Sequence, residues 1–562
     1  MRSRIYLKLV LLILLVFSVS QQVISQESEE FEISKNLDIF TTLYKQLYVN
    51  YVDNINHGEL FKTGINAMLE SLDPYTVYIP EAEIEDYKLM TTGQYGGIGA
   101  LIHKQNDDII VSEPYEGFAA YKAGLKAGDK ILEINGKSTK DKSVSDVSTI
   151  LKGQPGSDIR LLVIPFGEKK PVEKKLIREE IKIDNIPYYC MLNDSIGYIK
   201  LTSFTANAGQ EVKKAYVDLK ENNKHFKGLV FDLRGNGGGL LMEAVNITNV
   251  FVERNQLVVS TKGKIQERNL VYKTSFAPVD VTTPIVFLVD EYSASASEIL
   301  AGAIQDLDRG VIIGQKTFGK GLVQNIFPLT YNAQVKITIA KYYIPSGRCI
   351  QAIDYSHKLD GKALKSDDSL KRAFKTKNGR TVYDLGGIMP DISLDEKDYG
   401  NITRSLISKY LTFDYANKYA LEHPKIESAA TFKVDDAMYN DFLKFIADKD
   451  YDYTTSSEKK LEELKKTAID EKYFDAIKNE YEELKAKLMH DKNSDLQKFK
   501  AEISDLLKQE IVSRYFYQKG RIQSSLAEDT DVLKAIDVIN NKPLYESILS
   551  GTYKPAEQSK KN

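Results

Sequence analysis

The strongest constraint on the fold is a set of short, largely apolar runs at 196–201, 228–233, 285–289 and 311–313. A strand with one wet face alternates polar and apolar residues, whereas a strand covered on both faces reads as a continuous apolar run. Helical patterns lie between these runs, at 208–222 and 297–306, with connections long enough for crossovers. Strand–helix alternation of this kind predicts an α/β core.

The flanking regions differ in texture. Arg2, Arg4 and Lys8 precede an apolar stretch at 9–19 followed by small and polar residues, the order of a secretory signal peptide over 1–25. That stretch is short for a membrane span, which takes about 20 residues. An exported protein of the periplasm or cell envelope is expected, tethered to the membrane if the segment stays uncleaved. From 26 to 85, Leu37, Phe40, Leu43, Leu47, Leu60, Ile65 and Met68 fall at helical spacing, which predicts two or three helices for packing or self-association, closed by Asp73-Pro74. From 401 to 562 the chain reads as charged and helical, with Ile477, Tyr481, Leu484 and Leu488 on one face. A net charge of -3 gives no footing for nucleic acid or an anionic membrane. Cys190 and Cys349 fit neither a disulfide framework nor a metal-ligand spacing, and no metal or organic cofactor is implied.

Between about 86 and 170 the pattern is that of a small β-rich domain. Gly96-Gly97-Ile98-Gly99 leads into an apolar stretch, Gly124-Leu125-Lys126-Ala127-Gly128-Asp129 precedes a strand at 130–134, and Asn135-Gly136 is a strong hairpin signal. The order resembles a PDZ domain. That resemblance implies that Gly97, Ile98 and Gly99 form a loop whose amides receive a peptide's terminal carboxylate. The peptide would then add as a strand beside the one that follows.

Three segments carry candidate chemistry. Ser293-Ala294-Ser295-Ala296-Ser297-Glu298 stands between an apolar strand and an alanine-rich helix, where a serine hydroxyl is exposed at a sheet edge and an amide faces positive helix potential. Ser295 with Glu298 also matches a helix capping box, and three alternate serines leave the nucleophile open. Phe318-Gly319-Lys320-Gly321-Leu322-Val323-Gln324 presents a lysine between glycines; Gly321 stands where a phosphate-binding loop needs Ser or Thr. Asp232-Leu233-Arg234-Gly235-Asn236-Gly237-Gly238-Gly239 follows a buried strand, and its glycines suit a backbone that must approach a substrate. No histidine lies between His225 and His357, the interval that holds these segments' chemistry, which favours a serine–lysine dyad over a triad.

Together the segments resemble the carboxy-terminal processing peptidases, or tail-specific proteases, and the likeness extends to Tyr343-Ile344-Pro345-Ser346-Gly347-Arg348 and Gly386-Gly387-Ile388-Met389-Pro390-Asp391-Ile392, covering roughly 35–395. The resemblance implies a multidomain α+β and α/β chain: N-terminal helices, a PDZ-like domain, a crotonase-like serine protease core over 171–400 and a helical C-terminal region. It implies Ser295 as nucleophile, Lys320 as general base, Gln324 as the residue that orients the lysine, and the amides of Gly238 and Ala296 as oxyanion hole. Gly237 departs from the family, where many relatives carry proline, so a looser loop is expected. The expected activity is endoproteolysis of exported proteins near the C-terminus through an acyl-enzyme, on protein or peptide substrates with exposed tails. A catalytically silent PDZ scaffold of the cell envelope is the alternative. Deleting residues 90–168 should change cleavage of tailed substrates much more than cleavage of short peptides; equal effects on both would count against tail selection by this domain.

Overall fold

The computed structural model describes residues 29–359, 362–365, 371–396, 398–488 and 492–553. The expected signal segment at 1–25 lies outside them. The chain divides after Pro74 into two compact units.

The first unit contains a helix over 29–50 and a helix His57–Glu70. Asn56 caps the second by accepting the Glu59 N–H at 3.3 Å. The Tyr44 hydroxyl ties the pair, donating to the His57 carbonyl at 2.9 Å. Phe31, Leu37, Phe40 and Leu43 are exposed.

The second unit contains an antiparallel sheet of PDZ-like order. Its strands Ala100–Gln105, Asp108–Pro114, Lys130–Ile134, Asp158–Ile164 and Val172–Ile177 lie side by side in that order. Asn135 and Gly136 take φ of 50° and 76°, the double positive φ of the tight turn that Asn-Gly favours. Helix Val144–Leu151 is closed by a reciprocal cap: the Asp146 N–H donates to Ser143 Oγ and the Ser143 N–H to Asp146 Oδ2. Ile109, Val111, Leu125, Ile131, Val147, Leu161 and Val163 fill the core between helix and sheet.

The α/β core is a six-stranded sheet. Tyr188–Met191 pairs antiparallel with Ile196–Lys200, and the remaining strands Gly228–Asp232, Ile285–Val289, Val311–Gly314 and Ile392–Ser393 follow in parallel. Alternate side chains serve opposite faces. Leu229, Phe231, Phe287 and Ile312 pack on the side of helices Ala208–Glu221, Leu241–Phe251 and Ala296–Asp306. Val230, Val286, Leu288 and Ile313 pack with Val532, Ala535, Val538 and Ile548 of helices Thr530–Asn540 and Lys542–Leu549. The far face is thus covered by the end of the described chain. A second sheet joins Val77–Ile79, Leu322–Pro328, Gln334–Tyr343, Leu257–Gly263 and Val271–Lys273.

The helical region also reaches the PDZ-like sheet. The His103 ring stacks on Tyr410 at 4.2 Å and meets Phe413 edge-on, while Gln105 Nε2 donates to Asp414 Oδ2 at 3.0 Å. Among the described residues no helix is long and apolar enough to cross a membrane. Cys190 and Cys349 are both free thiols.

Phe231 is fully buried and stacks on Phe287 with ring centres 4.9 Å apart. Phe231→Ala should lower unfolding free energy by about 3–5 kcal/mol in urea titrations, the usual cost of a large core truncation; a loss under about 1 kcal/mol would mean that the core closes over the gap.

Candidate active site

Gly228–Asp232, Ile285–Val289 and Val311–Gly314 are adjacent parallel strands, so their carboxyl ends share one edge of the sheet. Ligand sites of open α/β sheets form at such edges. The segments that leave these three strands are the ones that carry the sequence motifs, and the topology brings them together.

After Ile285–Val289 the chain turns sharply into helix Ala296–Asp306, and Ser295 sits at the turn with φ 56° and ψ −111°. A positive φ is strained for a residue with a Cβ, and a strained strand–turn–helix elbow lifts a hydroxyl clear of the sheet. The three serines fare differently. Ser293 Oγ donates to the Leu233 carbonyl at 2.9 Å and Ser297 Oγ to the Asn236 carbonyl at 2.8 Å, both in the interior. Ser295 is half-buried and lines a cavity of about 500 Å³.

Lys320, Gln324, Gly237, Gly238 and Gly239 line the same cavity, whose apolar wall includes Leu89, Met90, Ile183, Ile299 and Leu322. Lys320 Nζ stands 4.4 Å from the centre of the Tyr75 ring. An aromatic face favours the ammonium form by roughly 0.5–2 kcal/mol. Gln324 Nε2 donates to Thr338 Oγ1 at 3.2 Å. Ala296 is the first residue of its helix, where backbone N–H groups have no partner within the helix.

Glu298 joins two of the segments. Its carboxylate accepts the N–H of Ser295 at 2.9 Å, of Gly319 at 2.7 Å and of Lys320 at 2.9 Å, and the Thr317 hydroxyl at 2.6 Å. It is fully buried, and burial pushes its pKa up to about 7 against the hydrogen bonds it accepts. The capping motif was visible in the sequence; its reach across to the lysine segment was not.

Asn236, also fully buried, joins the third segment. Its carbonyl accepts the Ala294 N–H at 3.0 Å and Ser297 Oγ, its Nδ2 donates to the Leu201 carbonyl, and its Oδ1 accepts the Gly238 N–H at 2.9 Å. Gly238 has φ 101°, and a Cβ there would stand 2.7 Å from the Ala294 carbonyl oxygen and 2.8 Å from Ser295 Cβ, so the loop can approach the serine only as glycine. A Cβ on Gly237 would meet nothing within 4 Å. Upstream, Arg234 pairs with Asp232, Asp529 and Asp531. Burial alone would raise the Asp232 carboxyl, but the charges of Arg234 and Lys200 hold it far below the usual carboxylate range.

Gly97, Ile98 and Gly99 lie apart from this cavity, at the start of the PDZ-like sheet. Gly97 ends strand Gln94–Gly97, paired with Glu179–Lys182; Ile98 is a core residue; Gly99 has φ 72°. The carbonyl of Ile98 accepts the Ala120 N–H and that of Gly99 the Tyr115 N–H. The next strand, Ala100–Gln105, is the last of its sheet and pairs on one side only, with Asp108–Pro114.

The model described as peptidase family S41 matches residues 195–357, the PDZ domain model matches 110–165, and the model for the C-terminal helical domain of a PDZ-protease matches 402–539. The carboxy-terminal-processing protease of Bartonella bacilliformis is 36% identical over 321 residues, 57% of this chain and 73% of that protein. The chain belongs to peptidase family S41, with the carboxy-terminal-processing proteases. A CtpA-like serine protease of Staphylococcus aureus is 34% identical over 338 residues, 59% of this chain and 64% of that protein. Among solved structures, the photosystem II D1 C-terminal processing protease is 26% identical, with 63% of this chain and 92% of that chain covered and a TM-score of 0.34. The S41 match contains Ser295, Lys320 and the glycine loop of this peptidase, and the three matches together follow the order PDZ domain, protease core, helical domain.

Sequence reasoning missed Tyr75, 245 positions from the lysine it faces, and the pairing of Arg234 with Asp529. No local signal announces either.

Glu298 yields a pH prediction. Its folded-state value lies above the ordinary 4.5, so folding favours the proton-bound form. The stability it contributes is complete below about pH 4.5 and is lost as pH rises through about 7. Glu298→Gln cannot titrate, so the stability of the parent minus that of the variant should fall by roughly 3 kcal/mol from pH 4.5 to 8 in urea titrations. A difference independent of pH would show that the carboxylate does not titrate in that range.

Proposed function

We propose that this peptidase cleaves exported proteins near their C-terminus, with Ser295 as nucleophile and Lys320 as general base, and that its PDZ domain recruits substrates by their exposed tails. The observation that carries the reading is the strained elbow at Ser295 opening onto the cavity that Lys320 also lines.

In this reading Ser295 Oγ attacks the scissile carbonyl carbon while its proton passes to Lys320 Nζ. The lysine then protonates the departing amine, and water releases the acyl-enzyme by the same route in reverse. Lysine in water holds its proton up to a pKa of about 10.4 and cannot act as a base near neutrality. In this reading the amine must lose water to act as a base, and desolvation in an apolar cavity favours the neutral form of a lysine in general. A substrate that seals the cavity from water therefore favours the neutral amine. The amides of Gly238 and Ala296 serve the tetrahedral oxyanion, each donor worth roughly 3–4 kcal/mol. For Gly238 this requires its N–H to turn from Asn236 Oδ1 toward the substrate. Gln324, on the strand that follows the lysine, steadies the amine from the cavity wall.

For the tail, the one-sided pairing of Ala100–Gln105 leaves a strand edge for an added peptide strand, beginning at the Gly97-Ile98-Gly99 turn. The apolar segment at 9–19 supports export to the periplasm or cell envelope.

The test is cleavage of an unfolded protein with an apolar C-terminal tail. Ser295→Ala and Lys320→Ala should each lower kcat by at least about 1000-fold with the melting temperature retained. Variants that cut as well as the parent would overturn the catalytic assignment; a parent that binds tails and cuts nothing would make the chain a scaffold.

A further inference from the structure

The proposed function leaves the C-terminal helical region without a part in the chemistry, yet one contact joins it to the glycine loop. Arg234 lies between Asp232, the last residue of its strand, and Gly235. Its guanidinium uses all five N–H donors: Nε on Asp232 Oδ1 at 3.1 Å, Nη2 on Asp232 Oδ2 at 2.7 Å and Asp529 Oδ2 at 3.0 Å, Nη1 on Asp529 Oδ1 at 3.1 Å and Asp531 Oδ2 at 3.0 Å. Two of its three carboxylates come from a segment 295 and 297 positions away.

Asp232 is shared between this arginine and Lys200. The two-pronged grip of Asp529 adds orientation, because a bidentate carboxylate fixes the plane of the guanidinium and with it the backbone it hangs from. Downstream, the backbone of Arg234, Gly235 and Asn236 is also held. The Arg234 carbonyl accepts Lys200 Nζ at 2.7 Å, the Gly235 N–H rests on both oxygens of Asp290, and Asn236 binds the Ala294 and Ser297 backbone and hydroxyl. A shift of the arginine is therefore passed through Gly235 and Asn236 to Gly238, whose N–H rests on Asn236 Oδ1. Asp529 is itself fixed, since its Oδ1 caps helix Thr530–Asn540 by accepting the N–H of Asp531 and Val532. That helix is seated on the far face of the central sheet by Val532, Ala535 and Val538.

We propose that Asp529 and Asp531 are positioning residues of the reaction centre: through Arg234 they set the glycine loop against Ser295, so the helical region completes the catalytic machinery instead of only covering the sheet. The inference rests on the serine-peptidase reading given above. It states that the helical region acts on turnover, not on capture of the substrate's tail. A misplaced oxyanion donor costs on the order of 10- to 100-fold in rate.

The experiment uses the full chain, a short peptide substrate without a recognition tail, and a fluorescent phosphonate that labels reactive serines. Asp529→Asn removes the charge while keeping a good helix cap. It should lower kcat at least tenfold with KM within twofold, slow phosphonate labelling in proportion, and leave the melting temperature within a few degrees. Arg234→Lys should do the same, and the double variant should be little worse than either single one, as expected when both act through one contact. Asp531→Asn leaves the cap untouched and carries the test should Asp529→Asn fail to fold. A kcat within twofold of the parent in a folded Asp529→Asn or Asp531→Asn, or losses that multiply in the double variant, would overturn the inference. A parent that neither cuts the peptide nor takes the label would instead overturn the proposed function, and this inference with it.

Discussion

Phe231 and Val230 are neighbours on one strand, point to opposite faces of the same parallel sheet, and are both out of reach of water. Most of the architecture answers to that condition. Parallel strands need crossovers, and the crossovers supply helices Ala208–Glu221, Leu241–Phe251 and Ala296–Asp306 for one face. The other face would expose Val230, Val286, Leu288 and Ile313 without helices Thr530–Asn540 and Lys542–Leu549. Burying a side chain of that size contributes roughly 1.5–3 kcal/mol, so the end of the described chain is bound into the core's stability.

The same parallel geometry makes the site. Three adjacent strands release their loops at one edge, and two buried polar side chains then fix the loops relative to one another. Glu298 gathers amides from the serine elbow and the lysine segment; Asn236 gathers the serine elbow and the glycine loop. Both lie away from water, where a satisfied hydrogen bond is strong and a lost one is costly. The strain of a positive φ at Ser295 is held in place by these contacts.

The PDZ domain and the protease core meet the same helical region from different directions. Tyr410 and Phe413 contact His103, and Asp414 contacts Gln105, both residues of strand Ala100–Gln105, and Arg521 pairs with Glu113 at 2.9 Å. Eight positions on from Arg521, Asp529 holds Arg234. One short stretch of chain therefore touches both the domain that would take a substrate's tail and the loop that would meet its scissile bond.

The sequence determined what depends on local chemistry. Continuous apolar runs specified buried strands, Asn135-Gly136 specified its turn, and the serine, lysine and glycine segments were legible because elbows, glycine-flanked loops and caps are written in consecutive residues. Family likeness named their expected roles but could not supply distances. Only the tertiary structure gave the Ser293 and Ser297 hydroxyls to backbone carbonyls and set Ser295 on the cavity, brought Tyr75 to Lys320, extended Glu298 from a helix cap to a bridge, and set Asp529 against Arg234. Each of those contacts joins residues whose spacing along the chain carries no periodicity, so nothing short of the folded packing of strands and helices could decide them.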